Sequence, residues 1–101
     1  MNKTIYDKGK WAESITEAYY HSYLWKTLAK NYRILGSEID LILIKNDSIV
    51  FVEVKYRKVF KNMRGDLDNF LTKRKKKSLL KGAQHFLSTS KISYRLFSFD
   101  L

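Results

Sequence analysis

No cysteine occurs among the 101 residues, which excludes disulfides and thiolate metal sites and fits a reducing cytoplasm. No apolar run approaches the roughly 20 residues of a membrane span, and the opening MNKTIYDKGKWAES has no apolar core of signal-peptide length. The expectation is a cytoplasmic protein that does not enter a membrane. Acidic residues are scarce: ten Asp and Glu stand against 20 Lys and Arg, for a net charge of +10. Such a surplus suits a polyanionic partner, either nucleic acid or an anionic surface, and the plain alternative is a merely soluble basic protein. Neither His21 nor His85 has a second His or Cys at ligand spacing, so both read as structural or exposed.

What is present describes one folded domain, residues 1–101. Apolar residues make up 45% of the chain and aromatics 15%, enough for one modest core and too much for a disordered tail. The most informative stretch is GSEIDLILIKNDSIVFVEVKYR, from Gly36 to Arg57. Two runs rich in Ile, Leu and Val flank Asn46-Asp47, which suit a tight turn, so the stretch reads as a β-hairpin. Pairing outward from that turn sets Ile44 opposite Ile49, Ile42 opposite Phe51, Asp40 opposite Glu53 and Glu38 opposite Lys55. By alternation, Ile39, Leu41 and Leu43 share one apolar face with Val50, Val52 and Val54.

Asp40 and Glu53 are the anomaly in this pattern. Like charges facing each other on a sheet destabilise it by up to about 1 kcal/mol, and a divalent cation would remove that repulsion. Mg2+ is hard, takes oxygen ligands and is commonly held by one or two carboxylates together with phosphate. Neutralising either acid should relieve the strain when no metal is bound.

Asp40, followed on the next strand by Glu53-Val54-Lys55, resembles the Asp…(Asp/Glu)-x-Lys motif of the PD-(D/E)xK nuclease superfamily, the restriction-endonuclease-like fold. A narrower resemblance, to the bacterial YraN-type family related to archaeal Holliday-junction resolvases, runs along nearly the whole chain. Its pattern matches Gly9-x-x-Ala12-Glu13, Asn31-x-Arg33, Glu38-Ile39-Asp40-Leu41-Ile42, Val50-Phe51-Val52-Glu53-Val54-Lys55-x-Arg57, Thr72-x-Arg74-Lys75 and Phe99-Asp100. Leu24 and Ser37 stand where that family has glycines, and the chain stops at Leu101, short of its usual C-terminal extension.

The resemblance implies Mg2+ or Mn2+ held by Asp40, Glu53 and the Val54 carbonyl, with Lys55 orienting the attacking water or neutralising developing charge. Glu13 and Glu38 become candidates for a second metal or for orienting its waters. The implied activity is hydrolysis of DNA phosphodiester bonds, structure-specific and tied to recombination or repair. A junction-cutting enzyme needs two sites and hence a homodimer.

Elsewhere the pattern predicts the supporting elements. Trp11, Ala12, Ile15, Ala18, Tyr19 and Tyr23 recur at helical spacing between Lys10 and Leu24 and form the expected buried arc. Glu13 falls outside that arc and would face solvent on the wheel alone. A following strand over Trp25–Arg33, antiparallel to the next, would return the helix N-terminus to Asp40 and Glu53. After Arg57, the stretch from Lys58 to Asp66 reads as a basic loop. Its aromatics either stack on unpaired bases or tuck into the core. Arg57, Lys58, Lys61 and Arg64 would track a nucleic-acid backbone.

Thr72 suits an N-cap for a helix whose stripe is Leu79, Leu80, Ala83, Phe86 and Leu87. Its first turns carry Lys73, Arg74, Lys75, Lys76 and Lys77, a run that opposes the helix dipole and invites an anion. Lys76 lies mid-stripe and should project over the carboxylates, unless it only snorkels along the core edge. Lys75 joins it in gripping phosphate. Ser93–Leu101 reads as a last strand, parallel to that of Glu53 through a right-handed crossover. The expected fold is α/β with an αβββαβ core, a mixed sheet flanked by helices, as the resemblance also implies. A nucleic-acid-binding module of the same fold without catalytic activity, or a basic protein-interaction domain with an incidental acidic pair, remain open alternatives.

Overall fold

The computed structural model describes residues 5–54 and 73–100, with side chains from residue 10 onward. Within them the order is α1 (Ile5–Ser22), β1 (Lys26–Ile34), β2 (Ser37–Lys45), β3 (Ser48–Val52), α2 (Lys73–Thr89) and β4 (Leu96–Asp100). The strands form one mixed sheet in the order β1-β2-β3-β4, antiparallel except for the parallel β3–β4 pair. This is the expected αβββαβ arrangement.

The hairpin has the expected register, with Leu41 opposite Val52, Ile42 opposite Phe51 and Lys45 opposite Ser48. Asn46 accepts a φ of 56° at the turn, a conformation its short polar side chain tolerates. The largest fully buried side chains, Phe51, Ile39, Leu41, Ile42, Leu43 and Ile49, all belong to β2 and β3, each contributing about 1.5–3 kcal/mol of burial. The hairpin is thus the core. One face gathers Ile39, Ile42, Ile49 and Phe51 with Leu79, Ala83 and Phe86 of α2. The other gathers Leu41, Leu43, Val50 and Val52 with Tyr20 of α1.

Ile39 breaks the expected alternation, since it packs with the α2 cluster and not with Leu41 and Leu43. Strand β1 is irregular at the same level. There Asn31 takes a φ of 51°, and the paired positions run Lys30–Leu41 then Tyr32–Ile39, with Asn31 and Asp40 unpaired between them. The change of face in β2 thus falls at Asp40, opposite Asn31.

The orientation of α1 also corrects the sequence expectation. Trp11, Ile15, Tyr19 and Tyr23 are exposed, Tyr19 at 61%, and Tyr20 is the buried aromatic at 9%. The helix turns Ala12, Glu13, Thr16, Glu17 and Tyr20 inward because Glu17 finds partners on β1, Thr27 Oγ1 at 2.5 Å and Lys30 Nζ at 3.0 Å. After Ser22 the helix is closed by a turn at Tyr23 and Leu24, and Leu24, with a φ of 71°, fills the left-handed position usually given to glycine.

Helix α2 lies close on β2 at Gly82. A Cβ there would overlap Ser37 Oγ and meet Ile39 Cδ1 at 3.0 Å. The contact is reinforced from Ser37 Oγ to the Ser78 carbonyl (2.6 Å), from Ser78 Oγ to the Gly36 carbonyl (2.7 Å) and from Lys81 Nζ to the Leu35 carbonyl (2.8 Å).

Candidate active site

Asp40 and Glu53 stand one step beyond the last paired positions of the hairpin, Leu41 and Val52. From there the two amides of β3's continuation diverge. The Glu53 amide donates to the Asp100 carbonyl at 3.0 Å, joining β4. The next amide, of Val54, donates to Asp40 Oδ2 at 2.8 Å. A backbone donor therefore orients the Asp40 carboxylate at the place where the two strands part.

Asp40 is half-buried, and its pKa is pushed up to about 6. Burial is the main cause, and the charges of Glu53, Glu13 and Glu38 add to it against the opposing Val54 hydrogen bond. A carboxylate raised by burial and by like charges marks a functional-site candidate. Glu13 reaches this field from α1. With the Asn31 side-chain amide turned so that both of its ends are satisfied, its nitrogen donates to Glu13 Oε1 at 3.2 Å and its oxygen accepts from Lys10 Nζ at 3.0 Å. Glu38 is turned to Arg33, with Oε1 at 3.2 Å from Nε.

Glu53 is buried at 7% side-chain exposure, and its Oε1 lies 3.4 Å from Lys75 Nζ. Here the structure corrects the expectation for α2: Lys75 reaches the carboxylate, whereas Lys76 is exposed. Leu80 is also exposed, at 42%, while Leu79, Gly82, Ala83 and Phe86 are buried. The close approach at Gly82 turns the buried stripe toward that residue, and Lys75 lies on its line, seven positions before it. Lys76 instead rims an apolar cavity of about 270 Å³ lined by Leu79, Leu80 and Phe99. Lys73, Arg74 and Lys77 are exposed at the α2 N-terminus.

The structure thus brings Asp40, Glu53, Val54, Glu13 and Lys75 to one end of the sheet. Lys55, Arg57, Lys58, Lys61 and Arg64 lie outside the described residues, as do the Thr72 cap and the aromatics of the predicted loop. Among the described residues, no group of three or more His, Asp or Glu is placed to hold a metal ion. Asn31 and Asp100 went without a role in the sequence. Asn31 had a signal, its place in Asn31-x-Arg33, but only the fold joins it to Glu13.

No described helix is long and apolar enough to cross a membrane. The profile of the uncharacterised protein family UPF0102 matches residues 12–101. A UPF0102 protein of Sulfurihydrogenibium sp. (strain YO3AOP1) is 38% identical over 101 residues, all of this chain and 84% of the relative. One from Syntrophomonas wolfei is 33% identical over the same span, again 84% of the relative. One from Saccharophagus degradans is 35% identical over 96 residues, 94% of this chain and 80% of its own length. With the match running from the middle of α1 through β4, the chain belongs to the uncharacterised protein family UPF0102, the YraN-type family whose motifs it carries.

Proposed function

We propose that this protein is a metal-dependent nuclease that hydrolyses DNA phosphodiester bonds, with Asp40 and Glu53 as its cation ligands. One observation carries the reading. At the open end of the hairpin, Asp40 is oriented by the Val54 amide, and its pKa is raised to about 6 by burial and by three neighbouring carboxylates, Glu53 among them. The donor set fits Mg2+ or Mn2+: hard carboxylate oxygens in excess negative charge, with the Val54 carbonyl, water and substrate phosphate to complete the coordination. Such an ion, when bound, supplies Lewis-acid stabilisation of charge on the scissile phosphate and acidifies water.

The chain's own residues have distinct tasks in this reading. The Val54 N–H holds Asp40 in one orientation, so no reorganisation is needed when the cation arrives. Lys75 balances the buried Glu53 charge and stands at the edge where negative charge gathers. Lys55 orients the attacking water or neutralises developing charge. Glu13 and Glu38 serve a second cation or its waters. Lys73, Arg74, Lys76 and Lys77 present cations at the N-terminus of α2, a phosphate-binding arrangement, and Arg57, Lys58, Lys61 and Arg64 would track the nucleic-acid backbone. DNA, branched DNA included, is the partner, and a homodimer would bring two sites to a junction.

A second reading, a nucleic-acid-binding module of this fold without catalysis, draws on the same ion pair. The Lys75 ammonium already neutralises Glu53 where a cation would. Incubating the protein with linear, flapped and four-way-junction DNA, with and without Mn2+, separates the two. Cleavage that needs Mn2+ and is lost in Asp40→Asn supports the nuclease. Binding without cleavage of any of the three supports the module.

A further inference from the structure

The Phe99-Asp100 pair belongs to the residues that carry the family resemblance, yet the nuclease reading leaves Asp100 unused. In the fold it joins three elements. Asp100 pairs with Val52 across the parallel β3–β4 ladder, and its carbonyl accepts the Glu53 amide at 3.0 Å. Its carboxylate, through Oδ2, accepts the Tyr20 hydroxyl of α1. Tyr20 is itself fixed, 9% exposed among Leu41, Leu43, Val50 and Val52, and edge-on to Trp25 at a centroid distance of 5.9 Å.

This junction matters because β3 ends as a regular strand at Val52, so Glu53 lies past the last pair with β2. At that point the Glu53 N–H is held by β4. Strand β4 is in turn exposed along its length and lies at the end of the sheet order, where strand ends fray unless tied down. The Tyr20–Asp100 hydrogen bond ties that end to a helix anchored in the core. The tether is also chemically apt, since a phenol can donate to a carboxylate without adding charge to a site already rich in acids.

We propose that Tyr20 and Asp100 are positioning residues, which hold the Glu53 backbone through the Asp100 carbonyl and so fix the direction of its carboxylate beside Asp40. The proposal rests on Glu53 as a cation ligand and adds the residues that aim it. Tyr20→Phe keeps the buried ring and removes only the hydroxyl. Asp100→Asn keeps an acceptor for that hydroxyl, and Asp100→Ala removes it.

The test uses the full chain, labelled with 15N, and two readouts: hydrogen exchange of the Glu53 amide relative to that of Val50, and Mn2+ affinity by titration calorimetry. Tyr20→Phe and Asp100→Ala should speed Glu53 exchange selectively and weaken Mn2+ binding by about tenfold, the usual cost of losing an outer-shell partner. Asp100→Asn should stay close to wild type in both. Unchanged exchange and unchanged Mn2+ affinity in Tyr20→Phe, with wild type binding Mn2+, would overturn the proposal and leave the nuclease reading intact. A wild type that takes up no Mn2+ would instead remove Glu53 as a cation ligand, and this proposal with it. Should Asp100→Ala fail to fold, Tyr20→Phe decides alone.

Discussion

Lys75 Nζ lies 3.4 Å from Glu53 Oε1, one residue along the helix from a lysine that faces solvent. The two neighbours should therefore differ in what they do. Lys76→Ala is expected to flatten the dependence of log K on log salt for duplex DNA, by about 0.9 for each phosphate that is no longer neutralised, with little change in stability. Lys75→Ala should also destabilise the fold by roughly 1–3 kcal/mol, because it uncovers a buried carboxylate. Fluorescence anisotropy across a salt series, together with urea melts, checks both. Equal salt slopes for wild type and Lys76→Ala would move the phosphate contact elsewhere.

Two acids should respond to pH with opposite signs. The Asp40 pKa is raised from 3.8 to about 6, so between those values the native state binds the proton more tightly than the unfolded chain does. Its charge penalises the fold above about pH 6, and the penalty fades as pH falls toward 3.8. Glu17 is lowered from 4.5, chiefly by the Thr27 hydrogen bond and then by Lys30 and His21, against the effect of burial. It stabilises the fold above pH 4.5, and that contribution is lost as pH falls through its lower native value. Metal-free Asp40→Asn should accordingly be more stable than wild type at pH 7.5 by on the order of 1–2 kcal/mol, once the shift is discounted for the solvent that reaches this half-buried group, and no more stable near pH 3.5. Glu17→Gln should be less stable at pH 7.5 and converge on wild type in acid. Thermal melts at the two pH values decide the signs.

Glycine should help at one site and be irreplaceable at another. Leu24 is 77% exposed and holds a φ of 71°, so Leu24→Gly relieves left-handed strain and gives up little packing. After the entropy cost of glycine, a gain of about 0.5–1 kcal/mol is expected. Gly82→Ala should lose about 1–3 kcal/mol from overpacking against Ser37 and Ile39, although alanine is the better helix former by about 1 kcal/mol. A gain in Gly82→Ala would mean that α2 has room to spare on β2.

The exposed aromatics of α1 give a further contrast. Tyr19→Ala should change stability by no more than about 0.5 kcal/mol, whereas Leu43→Ala, in the core, should cost about 2–5 kcal/mol. Denaturant melts of the two variants suffice.

The hairpin was legible because its runs of Ile, Leu and Val and the Asn46-Asp47 turn admit one register. The parallel pairing of β4 followed from the intervening helix. Three features were not legible, for reasons that lie between elements. The wheel of α1 marks Trp11, Ile15, Tyr19 and Tyr23 as its apolar arc, but cannot see that Glu17 and Glu13 find partners on β1. Counting Leu80 in the α2 stripe centred it on Lys76, and only the close approach at Gly82 turns it toward Lys75. Nor does the pairing of the two acids foretell that a cation from α2, Lys75, reaches Glu53, while burial and the neighbouring carboxylates raise the pKa of Asp40. Of the candidate site, Asp40 and Glu53 were readable from the hairpin as a facing pair, and Glu13 chiefly through the resemblance, while Tyr20, Asn31 and Asp100 join it only through tertiary hydrogen bonds.

In the proposed nuclease, Asp40 and Glu53 together bind a divalent cation. Calorimetric titration of Mn2+ into metal-free protein at pH 7.5 tests it without reliance on any DNA substrate. Saturable binding to wild type is expected, lost in Asp40→Asn and in Glu53→Gln, with both variants folded by circular dichroism. Saturable binding that survives unchanged in both variants, or none in the wild type, would contradict it.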